Sequence, residues 1–123
     1  MPRPTLPLEL APNCPEREIM SRVMSRWANL VLILLRERTY RFSELRRRIG
    51  NVSEKMLAQA LRTLEEDGFV SRFDHREVPP HVDYSLTPMG RELADRLAAL
   101  GAWISGSVKK VHAARAKKRA VNA

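Results

Sequence analysis

Between Val52 and Leu86 the spacing of apolar residues changes from the period of a helix to that of strands. Met56, Leu57, Ala60, Leu61 and Leu64 recur at three- and four-residue steps, which places them along one stripe of a helix. Ser53 suits the N-cap of that helix, and Val52 with Leu57 can close across it as a hydrophobic staple. The opposite face carries Lys55, Ala58, Gln59, Arg62 and Thr63, a set of donors and small groups. Asp67-Gly68 ends the helix, since glycine accepts the left-handed conformation beyond a last turn. Residues 69–76 and 81–86 then read as two strands, with Glu77-Val78-Pro79-Pro80 as the bend between them.

The residues before this stretch read as three further helices. Pro15 fits a first helical position, Glu16 and Glu18 favour the positive end of its dipole, and Ile19, Met20, Val23 and Met24 form its apolar side. Residues 27–38 follow as a helix so apolar that it belongs in the core. Tyr40-Arg41-Phe42 is a short β-prone link, and Ser43 is the expected N-cap of a third helix. There Phe42, Leu45 and Ile49 face inward and leave Arg46, Arg47 and Arg48 largely outside. Gly50-Asn51 separates this helix from the one begun by Ser53, the spacing of a helix-turn-helix. Together with the hairpin, the pattern predicts a mainly α fold with a small β wing, a winged helix-turn-helix.

After the wing, Thr87-Pro88 opens a long last helix in which Leu93, Leu97, Leu100, Ile104, Val108 and Val111 approximate a coiled-coil seam. Ala94, Ala98, Gly101 and Trp103 flank it. The helix outruns what a small winged domain needs, so a dimer is expected. Four prolines in residues 1–12 suggest an extended arm, residues 13–112 the folded domain, and residues 113–123 a basic, flexible tail that frays.

The net charge of +8 suggests nucleic acid, yet seven of the basic residues follow Asp95 with no acid among them, leaving the rest almost balanced. Residues 39–86 hold eight basic and eight acidic side chains. A DNA-binding face must therefore come from segregation of charge in space, and a winged helix that contacts protein is the alternative. The longest aliphatic run, residues 30–35, is far too short to span a membrane. One cysteine excludes an intrachain disulfide and, with a proline-rich start unlike a signal segment, fits a cytoplasmic protein.

A recognition helix offers its N-terminal half to base edges in the major groove. Lys55 can donate to guanine, Gln59 can pair with adenine through two hydrogen bonds, and Arg62 reaches either a base or a phosphate. Ser43, Arg46, Arg47 and Ser53 are expected mainly at phosphates, which fix register without reading sequence. In the wing, Arg72 and Arg76 are candidates for a neighbouring phosphate or minor groove, while His75 and His81 look more like solvent groups. Cys14 stands where a helix N-terminus favours the thiolate, the form oxidised to sulfenic acid. Cys14, His75 and His81 match no compact ligand spacing, so neither a metal nor another cofactor is expected. No phosphate loop, H-E-x-x-H or triad is present, and no enzymatic activity is expected.

These pieces resemble, in order, the HxlR-type family of bacterial winged-helix transcriptional regulators. The likeness runs from Cys14-Pro15 and Trp27 through Arg41-Phe42-Ser43-Glu44-Leu45 and Val52-Ser53-Glu54-Lys55-Met56-Leu57. It continues with Leu64-Glu65-Glu66-Asp67-Gly68, Glu77-Val78-Pro79-Pro80, Tyr84-Ser85-Leu86-Thr87 and Gly90. The chain departs from it with Ser25-Arg26-Trp27 where Gly-Lys-Trp is common, and with Asp74-His75 where an aromatic is common. The resemblance implies a homodimer through the first and last helices, bound to a pseudo-palindromic double-stranded operator. Candidate interface residues are then Ile19, Val23, Leu93, Leu97, Leu100, Trp103 and Ile104. In family members that sense oxidants or electrophiles the reactive cysteine precedes a proline at the start of the first helix, as Cys14 does. A ligand-responsive repressor of MarR type is the alternative regulator.

Overall fold

A computed structural model describes residues 14–123 and contains five helices and a small antiparallel sheet among them. The expected arm, residues 1–12, lies outside the described residues.

The core is built where the apolar stripes meet. Helix α1 (Pro15–Val23) starts at Cys14 and contributes Val23, while α2 (Ala28–Leu35) buries Ala28, Val31, Leu32 and Leu35. Helix α3 (Phe42–Ile49) buries Leu45, and α4 (Glu54–Glu66) buries Leu57, Ala60, Leu61 and Leu64. The α2 helix ends three residues before the predicted position 38, because Arg36 and Glu37 turn tightly onto Ile33 and Leu34. That turn sends the Glu37 carboxylate to the Tyr40 hydroxyl at 2.8 Å, with Tyr40 itself buried and Arg38 stacked on its ring at 3.8 Å.

Two expectations are corrected at the start of α3 and α4. The N-cap of α3 is Arg41 rather than Ser43, because Glu44 reaches back to accept from the Arg41 backbone N–H at 2.8 Å. That hydrogen bond is the main reason the Glu44 carboxyl lies below the usual glutamate range. Met56, placed in the apolar stripe, is instead half exposed, because the residues on the buried side of α4 are Leu57, Ala60, Leu61 and Leu64. Ser53 does cap α4, its hydroxyl accepting from Met56 N–H at 3.1 Å.

The wing is a three-stranded sheet, not the expected two-stranded ribbon. Strands β2 (Val70–Asp74) and β3 (Val82–Leu86) pair in register Val70↔Leu86 to Asp74↔Val82, and β1 (Tyr40–Arg41) joins the other edge of β3 through Tyr40↔Tyr84. The residues read as a link thus form a strand, an edge that only the returning hairpin could define. At the hairpin tip Arg76 takes φ +53°, and its N–H is held by the Asp74 carboxylate at 2.8 Å.

Helix α5 (Pro88–Asn122) is anchored at its first turn. Thr87 caps it, accepting from Gly90 N–H at 3.0 Å while donating its hydroxyl to the Gly68 carbonyl at 2.6 Å. Gly68 itself adopts φ +81° where α4 ends. A Cβ on Gly90 would stand 1.9 Å from the Phe69 carbonyl oxygen, so this crossing of α5 over the start of β2 requires glycine. The Arg36–Asp95 pair at 2.8 Å also ties α2 to α5. Helix α5 continues through residues 113–122, whose side chains are mostly Ala, Lys and Arg, good helix formers.

Replacing Gly90 by alanine forces apart backbone rather than a flexible side chain. Gly90→Ala is expected to destabilise the fold by at least the ~1–3 kcal/mol typical of overpacking. A lower urea midpoint with an unchanged slope would register it, and a wild-type midpoint would contradict the crossing.

Candidate nucleic-acid interface

The burial of Leu57, Leu61 and Leu64 fixes the rotation of α4, and rotation decides what it displays. Lys55, Gln59 and Arg62 fall at steps of four and three on the side turned away from the core, and all three are exposed. Arg62 donates to the Gln59 amide oxygen at 3.0 Å, so the middle of this row is already oriented in the free protein. Two of the acids further along the helix are drawn aside: Arg22 of α1 holds Asp67 at 2.7 Å and Glu66 at 3.1 Å.

The turn before α4 is held by Arg46. Its guanidinium donates to the Val52 carbonyl at 3.2 Å and to Glu54 at 3.2 Å, bridging α3 to the first turn of α4. Gly50, at φ +94°, carries the chain through the bend. Arg46, expected at a phosphate, therefore has a structural role in the free protein that sequence spacing did not reveal. Ser43, Arg46, Arg47 and Gly50 line a shallow hollow beside the turn. Arg48 is turned away to Glu37 at 2.8 Å and the Tyr40 hydroxyl at 3.5 Å.

On one flank of α4, Arg62 and Arg72 share a groove with Ala58, Leu61, Glu65 and Tyr84, which brings the first wing strand beside the helix. On the other flank, Gln59, Met56 and Thr63 face Ser25, Arg26 and Trp27, with Arg26 stacked on the Trp27 ring at 4.6 Å. Arg26 and Met56 are exposed neighbours of the Lys55, Gln59 and Arg62 row that spacing did not single out as site residues. Among the described residues Arg47, Lys55, Arg62, Arg72 and Arg76 have no carboxylate within ion-pair distance. Segregation in space thus frees these cations although the segment is balanced in charge.

The remaining candidates divide in two. Val23 and Leu97 belong to the chain's own core and Leu93 packs against it, and the three form part of the floor of an apolar groove between α1 and α5. Ile19, Leu100, Trp103 and Ile104 are exposed, and the first two line the same groove with Met20, Met24 and Phe69. Cys14 is buried at the N-cap of α1, its sulfur accepting from Arg17 N–H at 3.4 Å. In the wing, His75 and His81 stack at 4.0 Å and both reach Asp83, whose carboxyl is held below its usual range chiefly by His75. No helix among the described residues is long and apolar enough to cross a membrane.

The HxlR-like helix-turn-helix family model matches residues 22–112. The chain is 53% identical over 110 residues to the uncharacterized HTH-type transcriptional regulator YtfH of Escherichia coli, covering 89% of this chain and 87% of that one. Among solved structures, the putative transcriptional regulator ytfH from Salmonella typhimurium superposes with a TM-score of 0.81 at 53% identity, over 85% of this chain and 94% of that one. The redox regulator HypR in its oxidized form superposes at 0.70 with 32% identity, over 76% of this chain and 96% of HypR. With the helix-turn-helix, the wing and the greater part of the long last helix within the matched region, the chain belongs to the HxlR-like family of helix-turn-helix transcriptional regulators.

Proposed function

We propose that this regulator binds a pseudo-palindromic DNA operator as a homodimer, with α4 of each protomer in one of two successive major grooves. The observation that carries the reading is the outward row Lys55, Gln59 and Arg62, set on a helix whose opposite side is locked in the core. Lys55 donates to guanine, Gln59 pairs with adenine, and Arg62 orients Gln59 or reaches a phosphate. Ser43, Ser53, Arg46 and Arg47 contact backbone phosphates around the turn, and Arg72 and Arg76 extend the contact from the wing.

Dimerisation is supported by the apolar groove between α1 and α5 and by the exposed continuation of the seam. Leu100, Ile104, Val108 and Val111 are each more than two-fifths exposed on a helix of 35 residues, long enough to project well beyond the body of one protomer. Two copies facing each other along α1 and α5 would cover these side chains and set two α4 helices about 34 Å apart, one turn of the duplex. The basic residues 113–123, at the end of α5, add phosphate affinity without base reading.

A second reading concerns Cys14, favoured by its place at a helix N-cap and by the structural likeness to a redox regulator. Because Cys14 is buried at the N-cap of α1, oxidation there would disturb the start of that helix, and so the proposed dimer.

Three measurements test these readings. Gln59→Ala is expected to lower operator affinity by about 1–3 kcal/mol with little change on random DNA, whereas removing residues 113–123 weakens both alike. Equal losses on both DNAs for Gln59→Ala would remove its reading role. Leu100→Glu combined with Ile104→Glu should yield a folded monomer by sedimentation equilibrium and abolish footprinting on a two-half-site operator; a dimer that persists would place the interface elsewhere. Finally, a thiol oxidant should alter the wild-type footprint and leave Cys14→Ser unaffected, and an unchanged wild-type footprint removes Cys14 as a switch.

A further inference from the structure

The hairpin brings two histidines, which spacing had read as solvent groups, together with Asp83, a carboxylate that spacing had not joined to them. The β2–β3 register sets Phe73 opposite Asp83 and Asp74 opposite Val82, and the His75 N–H extends the ladder to the His81 carbonyl at 2.9 Å. His75 and His81 are thus cross-strand partners, and Asp83, two residues on from His81, shares their face. Both imidazoles point Nε2 at one carboxylate: His75 Nε2 lies 2.7 Å from one Asp83 oxygen and His81 Nε2 lies 2.8 Å from the other. The three ligand atoms fall within 4.8 Å of one another, and the side chains remain between one-fifth and one-third exposed, open to an entering ion.

We propose that His75, His81 and Asp83 form a binding site for a divalent first-row transition-metal ion of the Zn2+ class. Two imidazoles and one carboxylate suit Zn2+, Ni2+ or Cu2+, whereas Mg2+ and Ca2+ prefer all-oxygen sets. Three protein ligands with water in the fourth place is an open tetrahedral arrangement. At Zn–N distances near 2.0 Å, neighbouring ligand atoms stand about 3.3 Å apart, so the cluster needs only small side-chain rotations to close on an ion.

The surroundings favour the same outcome. Glu77 lies 3.1 Å from His81 Nδ1, on the far side of the ring from Asp83. Accepting the Nδ1 proton there leaves Nε2 with its lone pair turned inward, the carboxylate–histidine arrangement that orients metal ligands. The ion takes the Nε2 lone pairs, and in each neutral imidazole the proton that had bridged to Asp83 moves to Nδ1. Arg41 also approaches His81 Nδ1, at 3.2 Å, but the two carboxylates of Asp83 and Glu77 outnumber its single positive charge. The edge of the Phe73–His75 pair, with centroids 4.7 Å apart, limits the freedom of the His75 ring. Loading the site would add two positive charges to a hairpin in which Asp74, Glu77 and Asp83 otherwise offset Arg72 and Arg76.

The test is a Zn2+ titration of the full, tag-free chain after chelator stripping, read by competition with a chromophoric chelator. One ion per chain is expected, with at least a tenfold loss of affinity for His75→Gln and for Asp83→Asn, and a roughly tenfold loss for Glu77→Gln. His112→Gln and Cys14→Ser, which leave the cluster intact, should bind as the wild type does. Melting curves of each variant without metal separate a lost site from a lost fold. No binding by the wild-type chain, equal binding by the His75→Gln/His81→Gln double variant, or a loss that follows His112 or Cys14 would each overturn the proposal.

Discussion

The burial of one side of α4 governs everything this molecule presents to a partner. Leu57, Leu61 and Leu64 are sealed against α2 and the start of the sheet, and a helix so held has no rotational freedom left. Turning it by one residue would drive a charged or amide side chain into the core, at the high cost of burying an unpaired polar group. Hence the direction of Lys55, Gln59 and Arg62 is a consequence of hydrophobic packing several ångströms beneath them. Arg46 adds the second restraint by fixing the turn through the Val52 carbonyl and Glu54.

Electrostatics then act by position and not by sum. The helix-turn-helix and wing hold as many acids as bases, but most of the acids are committed: Glu54 to Arg46, Glu66 and Asp67 to Arg22, Glu44 to Arg38 and the Arg41 backbone, Asp83 to the wing histidines, with Glu65 left exposed beside Arg62. What is left uncommitted around α4 is mainly cationic. Surface ion pairs of this kind contribute little stability individually, so their effect lies in where they leave the unpaired charge. The long α5 plays a complementary part: its first turns complete the core through Ala94 and Leu97, and its remainder carries an apolar edge that the protomer does not cover.

Several elements were legible in the sequence because their causes are local. The Ser53 cap, the Gly68 stop, the Thr87-Pro88 start and the three-four spacing of leucines each act within one or two turns, and the structure reproduces them. Where the causes are distant, the reading failed. The strand at Tyr40 exists only because β3 returns beside it, more than forty residues later. One miss was local: Ser43 lost the cap of α3 to Arg41 because Glu44, three residues after Arg41, could reach back, a competition between two plausible starts that local pattern alone did not decide. The exposure of Met56 depended on which leucines α2 received.

The sequence by itself determined the helix-turn-helix order, the wing, the polar row on α4 and the seam of the last helix, because periodicity and capping are written in neighbouring residues. Only the tertiary structure decided that Arg46 clasps the turn, that Val23 and Leu97 serve the protomer's own core while Leu100 and Ile104 stay exposed, and that two wing histidines converge on Asp83. Those outcomes depend on contacts between residues far apart in the chain or facing across a hairpin, where register and packing, not spacing, set which side chains meet.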